Sequence, residues 1–93
     1  MLTLDTVLRL PEQVVFTFVD QDAILLNTRT NKYFALDDVG ASLWKLLSEG
    51  KTLRDSHQTL IDEYDVEAAQ LEQDLLELIG HLRENGLVEV AEA

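Results

Sequence analysis

One stretch constrains this chain more than any other. Leu25-Leu26-Asn27 and Lys32-Tyr33-Phe34-Ala35-Leu36 flank the polar segment Thr28-Arg29-Thr30-Asn31, and Asp37-Asp38-Val39-Gly40 follows. Two apolar runs around such a turn read as strand, turn, strand. Asn31 suits a left-handed backbone position. Asp37 or Asp38 then offers a side chain to cap a helix. A chain with this centre is committed to a hairpin that runs directly into helical structure.

Upstream, Val14-Val15-Phe16-Thr17-Phe18-Val19 is β-branched and aromatic and reads as another strand, with Asp20-Gln21-Asp22 as its turn and Ala23–Asn27 as its partner. Short connections make these strands and Lys32–Leu36 an antiparallel meander. Alternation puts Phe34 and Leu36 on one face and Tyr33 and Ala35 on the other. Residues 1–13 read as an extended arm, pinned by Leu8, Leu10 and Pro11.

Three helices are expected downstream. The first runs from about Val39 to Glu49, with Val39, Leu43, Leu46 and Leu47 as its apolar stripe and Gly50 as its stop. Trp44 lies at the stripe's edge and reads as core. The second begins at Thr52, whose hydroxyl suits the Asp55 amide. It places Leu53, His57, Leu60, Ile61 and Tyr64 on one face. The third is expected to open at Asp65, with Glu67 in its first turn, and to close at Asn85-Gly86. Ala68, Leu71, Leu75, Leu78, Ile79 and Leu82 form its broad apolar face. Leu87 can fold back on Leu82 after a left-handed Gly86. Val88–Val90 suits a short strand, and 91–93 reads as a tail.

Strands followed by helices give an α+β fold, a three-stranded antiparallel sheet against a three-helix bundle. At 93 residues the chain reads as a single domain with a modest core. A meander of this size leaves edges uncovered. Lys32–Leu36 carries one charge and no proline, so it is poorly guarded against an added strand.

Chemistry is sparse. Without cysteine there are no disulfides, thiolate nucleophiles or cysteine metal sites. No nucleophile-elbow serine or phosphate-binding glycine loop occurs. The two histidines, His57 and His81, lack metal spacing, and His57 on an apolar face reads as a packed side chain. Asp37-Asp38 and Asp62-Glu63 read as caps and solvated faces rather than paired catalytic carboxylates. No enzyme, metal or cofactor is expected. A net charge of −11 opposes nucleic acid and anionic membranes. It serves solubility, or favours a basic or neutral partner. No run is long and apolar enough to span a bilayer, and the start lacks a signal peptide's pattern, which fits a cytoplasmic location. Asp74 has two readings: a solvated acid, which spacing alone favours, or a polar rim beside a groove near Glu67, Leu71 and Leu78. Tyr33 either covers the outer sheet face or forms a pocket wall.

The order of these residues resembles the PqqD family, the small leader-peptide-binding domains also called RiPP recognition elements. The parts are Leu25-Leu26-Asn27, Thr30–Leu36, Val39-Gly40 with Trp44, and Gly50 with Thr52-Leu53. They continue through Leu60, Tyr64-Asp65-Val66, Asp74-Leu75, Leu78, Leu82 and Gly86-Leu87. The resemblance implies a winged-helix-like fold without catalysis. It also implies a leader segment of a ribosomally made precursor, added as a strand to Lys32, Tyr33, Phe34, Ala35 and Leu36. The helix bearing Glu67, Leu71, Asp74, Leu75 and Leu78 would wall this cleft. Asn31 stands where the family often has glycine, and Ser56 and His57 where it tends to be apolar. Compared with the pyrroloquinoline quinone members, the Tyr33–Asp37 strand end is more similar to the lasso-peptide partner proteins. Their working partners would be a leader-cleaving cysteine protease and an ATP-dependent cyclase. The alternative is a peptide chaperone for a radical SAM enzyme in pyrroloquinoline quinone synthesis, and more distantly a winged-helix regulator.

Overall fold

The computed structural model describes residues 2–91. Its elements are β1 (Leu8–Arg9), β2 (Val14–Val19), β3 (Asp22–Asn27), β4 (Lys32–Leu36), α1 (Asp38–Ser48), α2 (Leu53–Glu63), α3 (Ala68–Glu84) and β5 (Glu89–Val90). The expected tail at 91–93 lies outside the described residues from Glu92 onward.

The meander forms as expected, in the order β2-β3-β4. Asp20 and Asn31 take left-handed backbone angles, φ 57° and 60°, at the two turns. Asp22 pairs with Val19, so β3 begins one residue earlier than the turn chemistry implied. On the inner face Ala23 and Leu25 are buried, and Phe34, paired with Leu25, is half-buried. Trp44 of α1 packs edge-on against Phe16, with ring centroids 5.8 Å apart.

Helix ends follow the local rules. Asp37 is the cap of α1, its Oδ1 accepting from the Gly40 amide at 2.9 Å. Thr52 Oγ1 accepts from the Asp55 amide at 3.0 Å. After α3, Gly86 turns left-handed at φ 72° and Leu87 N–H donates to the Leu82 carbonyl at 2.8 Å. That six-to-one bond, with Leu82 and Leu87 both buried, is a Schellman ending.

Two expectations need correction. Helix α3 starts at Ala68, not Asp65. Tyr64 and Glu67 are both extended, at ψ 143° and 134°, so Asp65-Val66-Glu67 is the connection. Glu67 is therefore the residue before the first turn, and its side chain makes no capping bond. The N-terminal segment is also more than an arm. Its β1 pairs antiparallel with β5, Leu4 and Pro11 are buried, and Arg9 pairs with Glu89.

Candidate functional site

The open edge of β4 can be resolved to individual backbone groups. The Thr28 amide donates to the Gln13 carbonyl at 2.8 Å, just beyond the Val14–Asn27 pair. In an antiparallel ladder, residues alternate between exchanging both bonds with one neighbour and turning both groups to the other side. Counting back from Thr28, Leu26, Ile24 and Asp22 bond to β2. Asn27, Leu25 and Ala23 then bond to β4, at Lys32, Phe34 and Leu36. The N–H and C=O of Tyr33 and Ala35 therefore point away from the sheet. They are the free donors and acceptors of this edge. Tyr33 is 75% exposed, so its side chain stands on the outer face and covers nothing.

The helix beside this edge is held at both ends. At its start, His57 Nε2 lies 2.9 Å from the Ala68 carbonyl; a carbonyl only accepts, so this nitrogen carries the proton. At its finish, buried Asn27 donates from Nδ2 to the Gly86 carbonyl at 3.2 Å while its Oδ1 accepts from the Arg29 amide at 3.0 Å. A Cβ on Gly86 would sit 3.1 Å from that Nδ2, a second reason for glycine there. Neither His57 nor Asn27 stood out in the sequence as supporting the site. Asn27 carries a usable signal, being a polar residue at an inward position of an alternating strand.

Between these clamps α3 packs on α2, whereas α1 is the helix that packs on β3 and β4. Strand β4, α1 and α3 converge at Gly40. A Cβ on Gly40 would meet Leu36 Cβ, Leu78 Cδ2 and Asp37 Oδ1, each at 3.3 Å. The buried line of α3 is Leu71, Leu75, Ile79 and Leu82. Leu71 and Leu75 thus support the wall from within. Half-buried Leu78 faces Leu36 of β4 across Gly40, exposed Asp74 lies one helical turn before it, and exposed Glu67 precedes the helix. Asp74 Oδ1 accepts from Gln70 Nε2 at 2.9 Å, leaving Oδ2 for another donor. The N-terminal segment approaches α3 at Gly80: Leu2 Cδ1 would lie 3.9 Å from a Cβ there.

A concavity of about 430 Å³ lies elsewhere, under the N-terminal segment, lined by Leu4, Leu8, Leu47, Leu53 and Arg54 among others. A strand-adding edge is open surface and needs no such cavity. Among the described residues, no group of three or more His, Asp or Glu side chains is placed to hold a metal ion. Nor is any helix among them long and apolar enough to cross a membrane.

The profile of Coenzyme PQQ synthesis protein D (PqqD) matches residues 22–88, from the start of β3 to the turn after α3. The chain belongs to the PqqD family. Two solved structures resemble it closely. TbiB1 in complex with the TbiA(beta) leader peptide is 32% identical, with a TM-score of 0.85 over 91% of this chain and 99% of that one. Lasso peptide synthetase B1 complexed with the leader peptide is also 32% identical, with a TM-score of 0.79 over 88% and 96%. No curated protein matches significantly. The likeness to lasso peptide synthetase B1 takes in most of the α+β architecture and agrees with the resemblance read from the Tyr33–Asp37 strand end.

Proposed function

We propose that this PqqD-family protein is a non-catalytic adaptor. It captures the leader segment of a ribosomally made precursor peptide and delivers it to the enzymes that modify that peptide. The observation that carries this reading is the pair of outward-facing amide and carbonyl groups at Tyr33 and Ala35, with the α3 shoulder beside them. An extended leader adds there as a fourth strand, and main-chain bonds supply much of the affinity. Side chains on one face of the leader enter the cleft over Phe34, Leu36 and Leu78. Asp74 accepts from a leader donor at the rim. Lys32 and Glu67 mark the two sides of the groove, and Leu71 and Leu75 keep its wall in position.

Both similar structures are complexes with leader peptides and one of them is a lasso peptide synthetase B1, which favours that class of pathway for this chain. The partners are then a leader-cleaving protease and an ATP-dependent cyclase, working in the cytoplasm. The test is fluorescence anisotropy with labelled leader peptides encoded near this gene. A lasso-type leader should bind, and Ala35→Pro should abolish most of that binding. Binding only by a quinone-cofactor precursor would assign the chain to the radical SAM branch instead. No binding by any leader would overturn the adaptor reading.

A further inference from the structure

The same alternation exposes a second free edge. Gln13, Val15, Thr17 and Val19 bond to β3, so the N–H and C=O of Phe16 and Phe18 face away from the sheet on the β2 side. Exposed edges are normally guarded by charge, proline, a bulge or a covering element. Strand β2 has no charged residue and no proline, and every residue after Val14 is exposed. Val15, Phe16, Phe18 and Val19 are 48%, 42%, 43% and 50% exposed. Beside Phe18 this edge opens on a concavity of about 630 Å³ walled by α1 and the end of α2. Asp20, Asp38 and Glu63 line it against a single cation, Lys45.

We infer that β2 is a second strand-addition site, and that its occupant is an extended apolar segment of another protein carrying a basic residue at one end. The backbone groups fix the mode of binding, and the carboxylates around the concavity fix the charge. In antiparallel addition the segment's N-terminal end lies beside Phe18 and Asp20, so the basic residue belongs there. A second copy of this chain is a poor occupant. From Glu12 to Asp22 the sequence holds three acids, Glu12, Asp20 and Asp22, and no base. Antiparallel self-pairing sets these acids end against end, which is destabilising. The inference goes beyond leader capture and does not depend on it, because the leader uses the opposite edge.

The experiment uses the full chain with β4 closed by Ala35→Pro, so that a failure of leader binding cannot affect the result. The probe is a short synthetic peptide alternating Val and Thr behind an N-terminal Arg, compared with the same peptide bearing Glu there. Amide chemical shifts should move at Phe16 and Phe18, and the Arg peptide should bind about tenfold more tightly than the Glu peptide. Phe18→Pro should remove the response. If that variant does not fold, Asp20→Asn combined with Glu63→Gln leaves the strand intact and should erase the Arg preference. Shifts confined to Tyr33, equal binding of the two peptides, no shifts with either, or sedimentation showing a dimer paired through β2 would each overturn the proposal.

Discussion

The two edges of this sheet have the same backbone and different surroundings. On β4 the free groups belong to Tyr33 and Ala35, and the adjacent wall is α3, clamped by His57 at one end and Asn27 at the other. On β2 they belong to Phe16 and Phe18, and the adjacent surface is an acidic concavity between α1 and the end of α2. Main-chain bonding is available equally at both, so it cannot decide which chain binds where. Discrimination falls to the wall. On the proposed reading, an apolar floor at Leu36 and Leu78 would sort by side-chain shape, whereas carboxylates beside Phe18 would sort by charge. If both proposals hold, this small sheet would accept two unlike segments, one at each edge.

The alternation of free and bonded groups is the part of this comparison most easily broken. Phe34 should be intolerant of proline, because its amide belongs to the internal ladder opposite buried Leu25 and its ring packs on the core. Phe34→Pro should cost about 3 kcal/mol or more of stability, read from the urea midpoint. Its neighbour should behave in the opposite way. Among the described residues the Ala35 amide has no partner, so Ala35→Pro should change stability by less than about 1 kcal/mol. Leader affinity should nonetheless fall about tenfold or more. If the two variants exchanged phenotypes, the assignment of outward groups would be wrong at both edges together, since one count from Thr28 fixes both. A smaller effect is expected at the rim. Asp74→Ala should weaken leader binding by about 1 kcal/mol in an anisotropy titration, and leave the melting temperature almost unchanged because the residue is exposed. An unaltered titration would return Asp74 to the solvated-acid reading.

Much of this was legible in the sequence wherever the physics is local. The caps at Asp37 and Thr52, the glycine ending at Gly86 and the left-handed Asn31 each depend on a few adjacent residues. The hairpin's face alternation was legible for the same reason. Non-local features were not. A two-residue strand such as β1 has no periodicity to read, and its partner β5 lies at the other end of the chain. The start of α3 was misread because Asp65 and Glu67 have the composition of a helical first turn; the extended backbone at Tyr64 delays it. A helical wheel put Leu71, Asp74, Leu75 and Leu78 on one side of α3. It could not tell which of them the rest of the molecule covers, and Leu71 and Leu75 turn out to be core. The β2 edge is hard to read from sequence because its apolar run has the composition of an interior strand as much as of an edge. Seeing which of its amides are free requires the single bond from Thr28 to Gln13.

The smallest expected effect tests whether the edges are independent of the N-terminal segment. Arg54 clasps Asp5 through two contacts of 3.0 Å, Nε to Oδ1 and Nη2 to Oδ2. The guanidinium's hydrogen bond, and secondarily its charge, hold the Asp5 carboxyl below its ordinary value of 3.8. A carboxyl lowered by folding contributes stability above its unfolded value, and the contribution is lost as pH falls through the lower folded value. Asp5→Asn should therefore flatten the acid limb of the stability profile slightly, and less so at high salt, because the pair is exposed. Leader binding at neutral pH should not change. The clasp forms part of the wall of the concavity under the N-terminal segment, together with Leu47 near the end of α1, whereas Gly40 near the start of α1 meets β4. A change in leader affinity in Asp5→Asn would mean that α1 transmits the state of the N-terminal segment to the cleft floor. The β4 edge would then be coupled to a region that the β2 edge shares through the same helix, and the two sites would no longer bind independently.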